Sequence, residues 1–302
     1  MGTLAPIILM AYKRPEMTKR ALESLAANPE AAESELYVFA DGPKESSTDA
    51  DLAAIAATRS IIRSRDWCGT VHITEKVQNE GLAVSVIAAV TAVLAKHGRA
   101  IILEDDLVLS PYFLQYMNGA LELYKDEEQV ASIHGYVYPL PEQLPPTFFI
   151  RGADCWGWAT WDRAWKQFEP DGKKLYDTLR LKGEGRAFNF DNNYDYMKML
   201  RKQISGENDS WAIRWYAATF LKNMVTLYPA KSLVQNIGAD GSGTHMNAGD
   251  AADFDVTLAA APVLLKKIPV APSEVATAAF VSYFGSIKSS LFGKIIKAIR
   301  KK

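Results

Sequence analysis

Several things that would settle the class of this protein quickly are missing from its sequence. It has only two cysteines in 302 residues, Cys68 and Cys155. That number is too small for a disulfide framework, allows one bridge at most, and points to a reducing compartment with free thiols. No uninterrupted run of about 18 apolar residues occurs, so nothing reads as a membrane span. The opening "MGTLAPIILMAYKRP" has no basic leader, and its apolar stretch is too short for a secretion signal. Pro6 stands where a myristoylation motif carries serine or threonine. An excess of one charge is also lacking. The 34 Lys and Arg against 35 Asp and Glu leave a net charge of -1, which is not the electrostatic footprint of a nucleic-acid binder. Internal repeats are absent. The expectation is a soluble, cytoplasmic protein.

What is present is an ordinary globular composition, 48% apolar and 23% charged, over a length that suits one large α/β domain or two smaller ones. The first half alternates regularly. Strands are predicted over 5–12, 35–42, 70–76 and 99–105, and helices over 14–28, 49–64, 81–98 and 111–125. Pro15 lies near the start of the first helix, and Asp49 is the expected cap of the second. The helix over 81–98 is apolar almost all round, which predicts burial on every side. This βα order predicts a doubly wound, mostly parallel sheet with helices on both faces. Ligands of such sheets lie beyond the carboxyl ends of the strands. That edge gathers Lys13 and Arg14, Asp41, Gln78 and Asn79, and Glu104 to Asp106.

The regularity ends near residue 130. A strand is predicted over 130–138, then the Pro-rich "PLPEQLPP" and the tryptophan-crowded "CWGWATWDRAW" (155–165). Residues 166–205 are polar and irregular, 209–223 read as a helix and 224–229 as a strand, and "NIGADGSGTHMNAG" (236–249) is a glycine-rich loop. Three segments follow: a regular βα half over 1–128, an irregular α+β half of the same domain over 129–272, and a tail over 273–302. No acid follows Glu274, and residues 288–302 carry six Lys or Arg. On a helical wheel Phe284, Ile287, Leu291, Phe292, Ile295, Ile296 and Ile299 oppose Lys294, Lys297, Arg300 and Lys301. That is the pattern of a helix lying on an anionic membrane surface, so residues 284–302 are expected to make the protein peripheral on the inner face of the cell membrane.

The sharpest feature is "IILEDDLVLS" (101–110), three adjacent acids at the tip of an apolar strand. Such carboxylates repel one another and raise each other's pKa. Helix capping explains them poorly, since Ser110 would do that better. A hard divalent cation such as Mg²⁺ or Mn²⁺, completed by water and substrate phosphate, explains them well.

"NEGLAVSVIAAVTAVLAKHGRAIILEDDLVLSPYF" (79–113) resembles the nucleotide-sugar-binding half of GT-A-fold (Rossmann-like) glycosyltransferases. The N-x-G-L-A start, long helix and acidic triplet resemble the family 2 enzymes, and "EDDL" followed by "SPYFLQYMN" resembles the N-acetylglucosaminyltransferase I type. The likeness covers 5–125 and continues more loosely to about 250.

The resemblance implies a metal-dependent inverting hexosyl- or N-acetylhexosaminyltransferase. Its donor would be a nucleoside-diphosphate sugar, a UDP-sugar above all, and its acceptor a glycan or lipid-linked saccharide of bacterial surface polysaccharide synthesis. Asp106 matches the metal ligand, while Asp105 and Glu104 match residues on the ribose or uridine side. Arg14 matches a basic residue near the nucleobase, and Asp41 an acid that accepts from uracil N3–H, although an Asp-Gly turn explains Asp41 equally well. Asn79 is a nucleotide contact or a turn residue. Trp158 matches the Gly-Trp loop of the sugar pocket, against the plain alternative of core packing. His245 matches a loop over the diphosphate. Asp209, in "GENDSWAIRW", matches the base that deprotonates the acceptor. Ser210 stands where the family pattern has an acid, so Glu207 and Asp195 stay open as bases, and helix capping is the plain role for Asp209. The other readings are a sugar nucleotidyltransferase, disfavoured by the lack of glycine in "AYKRPEMT", and a non-catalytic glycan-binding protein on a degenerate transferase fold.

Overall fold

The computed structural model describes residues 3–238 and 253–299, with side chains up to residue 288 in the last helix. The first half contains β1 (Ile7–Ala11), α1 (Pro15–Ala26), β2 (Glu35–Ala40), α2 (Asp49–Ile62), β3 (Thr70–Glu75), α3 (Leu82–His97) and β4 (Arg99–Glu104). A short β5 (Leu107–Leu109) and α4 (Phe113–Leu123) follow, then β6 (Val130–His134), β7 (Thr147–Ile150) and β8 (Trp158–Trp161). Next come α5 (Asp162–Trp165), α6 (Gly172–Leu181), α7 (Gly185–Phe188), α8 (Tyr196–Ile204) and α9 (Trp211–Leu221). The described chain closes with β9 (Val225–Pro229), β10 (Val234–Asn236) and α10 (Glu274–Ile299).

Eight strands form one sheet in the order β3-β2-β1-β4-β8-β6-β9-β7, and β5 pairs with β10 in a two-stranded ribbon. The first four strands are parallel, β8 runs antiparallel between β4 and β6, and β7 is antiparallel to β9. This is the expected doubly wound, largely parallel α/β sheet. It runs without interruption from the regular half into the irregular one. β1 is buried along its whole length because β2 and β4 flank it and helices cover both faces, so "IILMA" carries no alternation. Each such Ile or Leu contributes roughly 1.5–3 kcal/mol on burial.

Two local expectations are corrected. Thr48, not Asp49, caps α2: its hydroxyl accepts from the Asp51 N–H, and the Asp51 carboxylate accepts from the Thr48 N–H. And α3 is buried on one face only. Leu82 and Val84 are exposed on the other, so its apolar composition reflects small aliphatic residues at the surface, not enclosure. Left-handed Gly98 ends that helix, donating to the Leu94 carbonyl, and β4 begins at the next residue.

The chain first winds outward through β2 to β3, then returns through α3 to β4 on the other side of β1. The strand order therefore reverses between β1 and β4, and a crevice opens at their carboxyl ends. Met10 and Glu104 are in register there, so the residues after each strand meet. The antiparallel β8 starts beside Ile102, which brings Cys155, Trp156 and Gly157 to the same edge.

Candidate functional site

Arg14, which follows β1, reaches the acids that follow β4. Its Nη1 lies 2.6 Å from Asp106 Oδ2 and 3.9 Å from Asp105 Oδ1. Asp105 Oδ2 also accepts the Tyr12 N–H at 3.1 Å, which fixes the end of β1 against the end of β4. The residues after β10 close on the triplet beside Arg14: the Ile237 N–H donates to the Asp106 carbonyl at 2.8 Å, and a side chain at Gly238 would collide with Asp106 Oδ2. Burial and the neighbouring charges push the Asp105 carboxyl up to about 7, with Arg14 working against the rise. Glu104 is raised too, first by burial, then by Asp106 and Asp105.

Asp41 and Asn79 meet as a second group at the same edge. Asp41 Oδ1 accepts from the N–H groups of Gly42 and Glu80, at 2.8 and 3.0 Å. Its Oδ2 accepts from Asn79 Nδ2 and the Gly81 N–H, at 2.8 and 3.2 Å. Four donors take up the carboxylate's usual capacity, so Asp41 ties the β2 end to the start of α3. The tie demands glycine at position 42, where a Cβ would stand 2.5 Å from the Gln78 carbonyl carbon.

Of the triplet, Glu104 lines a cavity of about 410 Å³, together with Asp154, Cys155 and Trp156, Trp211 and Tyr216 from α9, and Phe280, Phe284 and Ile287 from α10. The Cys155 thiol is held well above its ordinary range by burial and by the charges of Glu104, Asp154 and Asp106. Asp154 accepts from the Tyr138 hydroxyl at 2.9 Å and the Tyr228 hydroxyl at 2.7 Å. Both phenols are raised well above their usual range by burial and by the Asp154 charge, so they remain donors at neutral pH. Both cysteines are free thiols.

Other residues singled out from the sequence lie elsewhere. Trp158 is 0% exposed and stacks on Trp211, centroids 5.4 Å apart, in a cluster with Trp165 and Trp215. The tryptophans on the cavity wall are Trp156 and Trp211. Asp209 stands before α9 with 68% of its side chain exposed and Arg214 Nη2 at 3.5 Å. The cap of α9 is Ser210, whose hydroxyl accepts from the Ile213 N–H. Glu207 is exposed and pairs with Lys202. His245 lies outside the described residues. The sequence reading missed Asp154, Tyr138 and Tyr228. The one signal for them was an acid directly before the tryptophan-rich segment.

No three His, Cys, Asp or Glu side chains converge on a point that could hold a metal among the described residues. The donors at the strand end suit the other arrangement. One or two carboxylates suffice for a hard divalent cation when water and substrate phosphate complete its shell, and Asp106 with Asp105 supply them. The positive charge beside Asp106 in the structure is Arg14.

No protein-family profile matches the chain, and neither does any curated protein. Solved structures similar to it include the mannosyltransferase PcManGT from Pyrobaculum calidifontis in complex with GDP-Man and Mn²⁺, at 14% identity and a TM-score of 0.31 over 45% of this chain and 36% of that one. TarS of S. aureus is similar at 17% identity and a TM-score of 0.30, over 50% of this chain and 25% of TarS. A second structure, TarS 1-349, gives 17% identity and 0.29, over 49% and 40%. The chain thus spans less than half the length of each. Among the described residues no helix is long and apolar enough to cross a membrane.

Proposed function

We propose that this protein is a metal-dependent inverting glycosyltransferase that uses a nucleoside-diphosphate sugar, a UDP-sugar in the first instance, to glycosylate a saccharide hydroxyl. The observation that carries the reading is the acid triplet at the β1/β4 switch point, whose first member, Glu104, lines an aromatic cavity. A nucleotide has its usual berth at such a point, and the cavity adjoins it where the transferred sugar and the acceptor would meet.

In this reading Asp106 holds the cation, with Asp105 supporting it and Arg14 balancing their charge. When bound, the cation offsets the negative charge of the leaving diphosphate. The loop tied by Asp41 and Asn79 supports the nucleotide side. Asp209, at the start of α9, takes the proton of the acceptor hydroxyl as the new C–O bond forms and the bond from the anomeric carbon to the diphosphate breaks. His245 serves the diphosphate. Anionic lipid is the further partner, through the basic tail.

Thermal shift with UDP-, GDP- and dTDP-sugars, with and without Mn²⁺, tests the reading. One of these donors is expected to raise the melting temperature only when Mn²⁺ is present, and Asp106→Ala to abolish that response. Stabilisation by none of them, with Asp106→Ala behaving as the wild type, sinks it. Asp209→Asn is expected to abolish transfer and leave donor binding intact. Transfer near the wild-type rate assigns the proton to another group.

A further inference from the structure

The cavity has one property that the transferase reading does not require. Its described lining contains three acids, Glu104, Asp154 and Asp253, and no Lys, Arg or His. Asp154 cannot shed its influence by rotating away, because the Tyr138 and Tyr228 hydroxyls hold one oxygen each. A carboxylate offers about four acceptor sites, so roughly two remain for a ligand. Asp154 is therefore a carboxylate held in place on the cavity wall, with acceptor capacity to spare. The rest of the wall is aromatic, with Trp156, Trp211 and Tyr196 prominent.

We infer that this cavity is the acceptor subsite and that it selects a saccharide ring free of negative charge, oriented by Asp154. A pyranose has the same two-sided character as the wall, an apolar C–H face and a polar rim, so rings can stack on the aromatics while a hydroxyl or ammonium reaches Asp154. About 410 Å³ falls inside the ordinary range for small-ligand sites. A uronate or phosphosugar would bring an anion against Asp154 and Asp253, where the described lining offers no Lys, Arg or His to meet it, and like charges so juxtaposed are strongly disfavoured. The assignment of the ligand as acceptor rests on the transferase reading. The charge selection rests on the cavity alone, and Asp154 acts as a positioning residue.

The full chain would be titrated with methyl β-glucoside, methyl β-glucosaminide and methyl β-glucuronide, read by tryptophan fluorescence and by saturation-transfer NMR. The neutral and amine-bearing probes are expected to bind, and the glucuronide at least about tenfold more weakly. Asp154→Asn is expected to weaken the amine-bearing probe most and to narrow the gap to the glucuronide. Tyr228→Phe keeps the carboxylate and frees one of its oxygens, so it should retain the discrimination and serve if Asp154→Asn fails to fold. The inference is overturned if the glucuronide binds as tightly as the glucoside, if none of the three binds, or if Asp154→Asn discriminates as the wild type does. The nucleotide panel separates the two readings. Sugar titrations that fail while a nucleotide sugar still binds remove the subsite alone, whereas a silent nucleotide panel with selective sugar binding removes the transferase and leaves a charge-selective sugar site.

Discussion

Glu104 and Asp105 hold their protons to a higher pH than carboxyls in water, because burial and mutual repulsion outweigh the single guanidinium of Arg14. The sign of the consequence follows from linkage. With pKa values raised to about 8 and about 7, against ordinary values of 4.5 and 3.8, the folded protein binds more protons than the unfolded chain across that window. Stability from these groups is complete below the ordinary values and is lost as pH rises through the raised ones. In EDTA the melting temperature is therefore expected to fall between about pH 5 and 8. Glu104→Gln should flatten that slope, and so should Mn²⁺ if it binds the triplet. An equal slope in wild type and Glu104→Gln would mean that the charges are already balanced without metal. At this scale the sequence displayed the acids but not the cation beside them. Arg14 and Asp106 are 92 residues apart, and nothing local joins them.

α10 shows how one helix serves the site and the fold together. Phe284 is 1% exposed and packs against Phe190, Tyr194 and Tyr138, with centroids 5.3, 4.9 and 5.0 Å away. Phe284→Ala is expected to cost about 3–5 kcal/mol in urea denaturation and to open the cavity wall. Val275→Ala, on the exposed face of the same helix, should stay within about 0.5 kcal/mol. The helical wheel gave the apolar stripe of this segment a single partner, the membrane. The structure uses its beginning otherwise: Phe284 and Ile287 lie in the cavity wall, and Lys288 donates to the Asn192 carbonyl at 2.7 Å. A stripe of given periodicity does not say what it will cover. The same holds for "CWGWATW", where periodicity could not tell a sugar-stacking ring from the buried Trp158.

For the whole molecule, the proposed membrane contact narrows to the segment beyond Lys288, where the basic residues Lys294, Lys297, Arg300 and Lys301 remain for lipid phosphate. Flotation with phosphatidylserine vesicles is expected to carry the full chain upward. A chain ending at residue 288 should stay at the bottom, as should the full chain with neutral vesicles. Binding that survives the truncation would place the lipid contact on the folded domain.

The βα alternation of the first half was legible because each strand is a short apolar run and α1 and α2 carry their own start signals, Pro15 and Thr48, all local properties. So was the acidic edge, since charge beyond an apolar run marks a strand end. The strands β5, β7, β8 and β10 are three or four residues long and take their identity from their partners, so no periodicity announces them. The sequence by itself determined the βα alternation of the parallel half and the acid triplet at a strand end, because local patterning is enough to specify them, while the switch point needed the strand order. Only the tertiary structure decided that Arg14 faces Asp106, that Asp154 is held by Tyr138 and Tyr228, and that α10 walls the cavity. Those contacts join different elements of the chain, and no local pattern specifies which side chains meet.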